Sequence, residues 1–229
     1  MKVYAILPLI CLVLIIGCDL SSVDPGGGAT SPTGVSLRGT PEVIEAPTPP
    51  DGGDKARLKW DVPPGTLVGQ IVFDGPVQKL PPEIPRALIT ADPTVCAKGG
   101  DIQDESLVVD GAGGIANVFI FLAKRPKELD DHPEFDPEKR LPGIDQLYCV
   151  FKPHALIART GVFPLKNSDA VTHNIKSGSE YVSFNINLPP NGEDSVDFKR
   201  AEAPFPSSCS IHAWMRYYTL VVDHPYAAV

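Results

Sequence analysis

The stretch C-S-I-H-A-W-M, residues 209–215, sets a thiol, an imidazole and a thioether at intervals of three: Cys209, His212 and Met215. Thiolate and imidazole bind copper strongly in one plane, and a thioether adds a long, weak axial bond; a second imidazole completes such a centre. The segment N-S-D-A-V-T-H-N, residues 167–174, offers that imidazole in His173, 36 residues before Cys209. With His173, Cys209, His212 and Met215 all bound, copper keeps no open position for a substrate. That is the chemistry of one-electron transfer and not of metal-assisted hydrolysis. A lone C-x-x-H is weak, but Met215 is one of two methionines in the chain and the other is Met1, so its place at the axial offset strengthens the reading.

Donors so far apart must be brought together by the fold. The chain has 229 residues, 43% of them hydrophobic, with 25 Pro and 20 Gly but only 7% aromatics, and no window carries apolar residues at helical spacing. Proline and glycine are poor in helix interiors, so one loop-rich β domain is expected. Apolar runs at 66–73, 106–109, 115–122, 146–151, 155–158, 161–166, 181–186 and 216–222 read as short strands separated by turn residues. Such a series indicates a β-sandwich or barrel, with His173 in a polar loop that the sandwich can carry to the same pole as 209–215. The charged, Pro-rich segment 124–140 interrupts the series and reads as a surface insertion.

Residues 1–17 hold one Lys followed by an apolar run too short to span a bilayer comfortably, the pattern of an export signal. The run ends I-I-G-C, which resembles the bacterial lipoprotein box and implies cleavage before Cys18 and acylation of that residue. Residues 18–58 are then the lipidated Cys and a Pro/Gly/Ser-rich linker that cannot bury enough apolar surface to order itself. Its random-coil reach is on the order of 35 Å. Residues 59–229 are the domain, placed in the bacterial cell envelope on the periplasmic face and tied to the membrane through its lipid. Losing 1–17 removes Lys2 alone, leaving 19 basic against 28 acidic residues. An acidic surface argues against nucleic acid as a partner.

Three cysteines remain in the domain, an odd number in an oxidising compartment. One scheme joins Cys96 to Cys149 and leaves Cys209 for a metal; its rival joins Cys149 to Cys209. Spacing does not choose between them, but only the first gives His212 and Met215 a task.

These residues resemble the cupredoxins, the blue copper proteins. The C-x-x-H-x-x-M spacing is similar to that of amicyanin, and the upstream His173-Asn174 pair fits the same pattern. The resemblance implies a Greek-key β-sandwich or barrel, one type 1 copper held by His173, Cys209 and His212 with Met215 axial, and Asn174 bracing the Cys-bearing loop. It further implies an electron carrier serving a redox partner protein. Segments 145–154, 167–174 and 209–229 together resemble bacterial cupredoxin-like proteins labelled methylamine-utilisation or plastocyanin-like, over about residues 66–229. That group continues past H-P-Y with a Gly-containing hairpin, so the resemblance also implies a chain shortened at its C-terminal end.

No motif of an enzyme stands beside this set: no Gly-rich phosphate loop, no G-x-S-x-G and no H-E-x-x-H. His132, His154 and His224 read as solvated or packing residues, Trp214 as a cover for the metal or part of the core, and Glu202 as a loop carboxylate. Two rival readings use the same residues differently, a copper carrier or store and a copper-free β-sandwich binding module of the envelope.

Overall fold

Alternation at every second residue puts one face of a strand inside and the other in water. G-V-F-P-L-K-N does this: Phe163, Leu165 and Asn167 are buried while Val162, Pro164 and Lys166 are exposed. The computed structural model of the chain describes residues 69–77, 79–125, 127 and 141–229, with the backbone of Ile15–Ile16 and Val35–Arg38. The rest of 1–68, including Cys18, the signal and the linker, lies outside the described residues, as does nearly all of the 124–140 insertion with His132.

Twelve strands are used below. They are β1 (Gln70–Phe73), β2 (Val118–Phe121), β3 (Ile144–Gln146), β4 (Phe151–Lys152), β5 (Ala155–Arg159) and β6 (Gly161–Asn167). After them come β7 (His173–Ser177), β8 (Asn185–Leu188), β9 (Glu193–Phe198), β10 (Glu202–Ser208), β11 (Arg216–Val222) and β12 (Ala227–Ala228). A five-stranded sheet runs β8-β7-β10-β11-β5, antiparallel except for the parallel pair β11/β5, and a four-stranded sheet runs β9-β6-β3-β4 with β3/β6 parallel. At the periphery β2 pairs with β12 and with Ile15–Ile16, and β1 pairs with Val35–Arg38. The described residues contain one short α-helix, α1 (Pro93–Cys96), and no helix long and apolar enough to cross a membrane.

The two sheets close on one core. Ile144, Phe163, Leu165 and Phe198 from the smaller sheet pack in one cluster with Leu156, Ile175, Leu188, Phe205, Tyr217 and Val221 from the larger. Phe198 stands between Phe163 at 5.6 Å and Phe205 at 6.0 Å, ring centre to ring centre, and so bridges the sheets. Burying a side chain of this size contributes roughly 1.5–3 kcal/mol, whereas an exposed ion pair such as Arg216–Glu83 contributes about 0–1 kcal/mol. Apolar burial therefore sets the fold. Gly161, with φ of 108°, turns the chain from β5 in one sheet to β6 in the other, a conformation that a Cβ would disfavour.

The all-β sandwich is the one expected, with local departures. Residues 106–109 form only an isolated bridge, Val109 to Ile115, and the apolar run 181–186 becomes a strand only from Asn185. The run 146–151 is cut in two because Tyr148 and Cys149 both take left-handed backbone, φ 58° and 57°. His173 is not in a loop: it is the first residue of β7 and pairs with Leu188 of β8. The strands β9 and β10 carry weak signals, the first because E-D-S-V-D-F is mostly polar, the second because Pro204 and Pro206 interrupt it. Those prolines are tolerated because β10 pairs with β7 only at Ser207 and Ser208, so the missing N–H groups break no ladder on that side.

Candidate metal centre

Cys209 to Met215 form the connection between β10 and β11, whose ladder closes at the pair Ser208–Arg216. Within it Cys209 N–H donates to Met215 O at 3.1 Å and Met215 N–H to His212 O at 2.9 Å. These bonds curl the loop so that Cys209, His212 and Met215 turn inward while Ser210, Ile211 and Ala213 face solvent. Cys209 is 3% exposed, His212 0% and Met215 1%. His173, also 0% exposed, enters from β7, which lies beside β10 in the sheet.

The donor atoms of His173, Cys209 and His212 lie within 4.8 Å of one another, and the three residues could hold a metal ion. His173 Nε2–H donates to Asp169 Oδ2 at 2.9 Å and His212 Nε2–H to Asp92 Oδ2 at 3.0 Å. A carboxylate only accepts, so each ring keeps its proton on Nε2 and turns its other nitrogen inward. The two Nδ1 atoms then face each other 3.0 Å apart. Two lone pairs held that close and away from water need a cation between them, and either a proton or a metal ion answers.

Burial pushes the His173 imidazole toward its neutral form, but the bonds to Asp169 and Cys209 overcome it and raise its pKa to about 9. Burial raises the Cys209 thiol, yet hydrogen bonds with His173 and His212 and with the backbone of Asn174 and His212 bring it down to about 5. For Asp169 burial again opposes the charged form, and the bonds from His173, Cys149 N–H and Tyr148 N–H outweigh it and lower its pKa. At neutral pH the metal-free site thus holds a thiolate, and His173 carries the extra proton. A soft divalent metal can displace that proton.

Asn174 follows His173 in β7. Its Oδ1 accepts Ser210 N–H at 2.7 Å, and its amide donates to Asn185 Oδ1 at 2.6 Å. Cys96 and Cys149 are joined in a disulfide, and Cys209 is a free, buried thiol. The bonded sulfurs lie within 4.8 Å of a His212 ring nitrogen, but as a disulfide they are not thiolate ligands. Trp214 donates its indole N–H to Cys149 O at 2.9 Å, its ring 5.3 Å from that of His212, and so covers the site. Together with Met215 it also lines a cavity of about 460 Å3. His154 and His224 lie elsewhere, on Glu105 and on Leu122 O, and Glu202, the first residue of β10 and not a loop residue, accepts from Ser179 Oγ–H and Glu180 N–H.

Two carboxylates of the site had no role in the sequence reading. Asp169 sits four residues before His173, a spacing that holds a signal in retrospect. Asp92 lies 120 residues before His212 and offers none.

No protein-family profile matches the chain, and no curated protein does. Among solved structures it is similar to the Cu-containing nitrite reductase (NirK) from Thermus scotoductus SA-01, 17% identical over 51% of this chain and 25% of that one, TM-score 0.33. It is similar to a purple cupredoxin from Nitrosopumilus maritimus, 25% identical over 32% of this chain and 82% of that one, TM-score 0.28. A mutant of amicyanin in its Cu(I) form is 17% identical over 39% of this chain and 87% of that one, TM-score 0.32. The chain spans a quarter of the length of the nitrite reductase.

Proposed function

We propose that the chain is a copper protein of the cupredoxin class that carries one electron at a time. The observation that supports this most is the convergence of the His173 and His212 Nδ1 atoms, 3.0 Å apart, with the Cys209 sulfur within 4.8 Å of a ring nitrogen of each. Copper, when bound, supplies the one-electron change between Cu(II) and Cu(I). His173, Cys209 and His212 would hold it strongly, and Met215 more weakly from the loop's end. Their backbones are fixed by β7, by the β10–β11 loop and by Asn174, so both oxidation states meet nearly the same donors. Burial of all four residues excludes water, and the Cys96–Cys149 bond leaves Cys209 no disulfide partner among the described residues. Met215 and Trp214 at the wall of the cavity offer the redox partner protein a short path to the centre.

In the same reading residues 1–17 direct export, Cys18 carries the lipid, residues 18–58 tether the domain, and residues 59–229 work at the periplasmic face of the envelope. Purified protein loaded with Cu(II) should bind one copper and become intensely blue, and Cys209→Ser should be colourless under the same loading. A colourless wild type would end the proposal. Uptake of Cu(I) with ready release and no reversible redox wave would make the chain a copper carrier or store instead.

A further inference from the structure

Each of the two imidazoles rests its outer nitrogen on a carboxylate, and the carboxylates come from separate parts of the chain. Asp169 is 1% exposed and is held by Tyr148 N–H at 2.7 Å and Cys149 N–H at 2.8 Å, consecutive left-handed residues whose amides form a nest for an anion. Asp92 is 44% exposed and stands just before α1, its own backbone left-handed at φ 45°. Val95 and Cys96 N–H both donate to its carbonyl at 2.9 Å, and Cys96 is bonded to Cys149, so the residue is anchored. Among the described residues no Lys or Arg pairs with either carboxylate.

We infer that Asp169 and Asp92 set the redox balance of the centre, holding it toward Cu(II) so that the carried electron is readily given up to an acceptor. The inference rests on the copper reading above. With Cu(II), the Cys209 thiolate and the two carboxylates, the centre carries a net charge of minus one. Adding one electron from a donor, and nothing else, takes it to minus two. Inside a pocket whose imidazoles are fully buried, the extra negative charge is poorly screened, and the reduced state is the one penalised. The carboxylates act through the rings as positioning and charge-setting groups, and neither touches the metal.

Asp169→Asn and Asp92→Asn test this: asparagine keeps the shape and can still accept the Nε2–H bond, tolerates left-handed backbone at residue 92, and at residue 169 sets its NH2 against the Tyr148 N–H. Each copper-loaded variant is equilibrated with the same ferrocyanide/ferricyanide ratio, and the Cu(I):Cu(II) ratio is read from the blue band. Asp169→Asn should raise that ratio by at least about tenfold, because one charge is removed a single imidazole's width from the metal in a medium of effective dielectric ~20. Asp92→Asn should raise it less, because solvent screens an exposed group. If Asp169→Asn does not hold copper, Asp92→Asn decides alone. Blue variants with the wild-type ratio, or a lower one, overturn the inference while leaving the copper reading intact. A wild type that never turns blue refutes the copper reading itself.

Discussion

Asp169 and His173 share one carboxylate oxygen with the main chain of another strand region: Oδ2 accepts His173 Nε2–H at 2.9 Å and Cys149 N–H at 2.8 Å. The imidazole is thereby tied to the half-cystine whose sulfur reaches Cys96 at the end of α1. His212 is tied to the same helix from the other side, through Asp92. The walls of the candidate centre form one connected unit, and its parts should fail together.

Removing the disulfide tests that connection. In Cys96→Ser/Cys149→Ser the closure of a loop with sequence separation 53 is lost, and roughly 2–5 kcal/mol of stability should go with it. Asp92 also loses its anchor. Copper should leave the double variant for a chelator several-fold faster than it leaves the wild type, measured by stopped-flow loss of colour. Equal release rates would show that the α1 wall does not retain the metal.

Asn174→Ala should loosen the Cys209 loop. The change strips Ser210 N–H and Asn185 Oδ1 of their partner, at a cost of about 1–3 kcal/mol. A domain of this size loses roughly 2–4 °C of melting temperature per kcal/mol. The metal-free melting curve should therefore fall by several degrees, and an unchanged midpoint would show that Asn174 is not a brace.

Copper uptake should release protons and strengthen as pH rises. The His173 pKa is raised to about 9, so its contribution to the stability of the metal-free protein is present below 6.5 and lost as pH passes upward through about 9. Copper must displace that proton, which makes affinity climb up to about pH 9. The Cys209 pKa is lowered from 9.0 to about 5, so its contribution is present above 9.0 and lost as pH falls through about 5. Binding should weaken steeply below that point. Competition titrations across this range, with proton release recorded in weak buffer, check both limbs; a pH-independent affinity contradicts them.

Residues legible in advance were those whose relations are local. Cys209, His212 and Met215 lie in one short connection, and Asn174 follows His173 directly, so their proximity is a matter of covalent spacing. The strands β6 and β11 announced themselves because Phe163 and Leu165, and Tyr217 and Thr219, alternate into the core. The strands β9 and β10 did not, because a polar edge and two prolines mask the period. Even His173 was misplaced by its polar surroundings: it stands in β7, where Asn174 and Ile175 are buried beside it.

The sequence by itself determined the sandwich class and named a candidate donor set, since apolar alternation fixes burial and residue type sets which metal chemistry is open. Only the tertiary structure decided which cysteine stays free. Cys96 and Cys149 are brought together by the packing of α1 against the β3–β4 connection, and no spacing encodes that approach. It also decided that Asp92, 120 residues from His212, stands on the imidazole. Such pairings arise when two sheets bury a common core, and a carboxylate's place at that core's rim depends on the path of the whole chain.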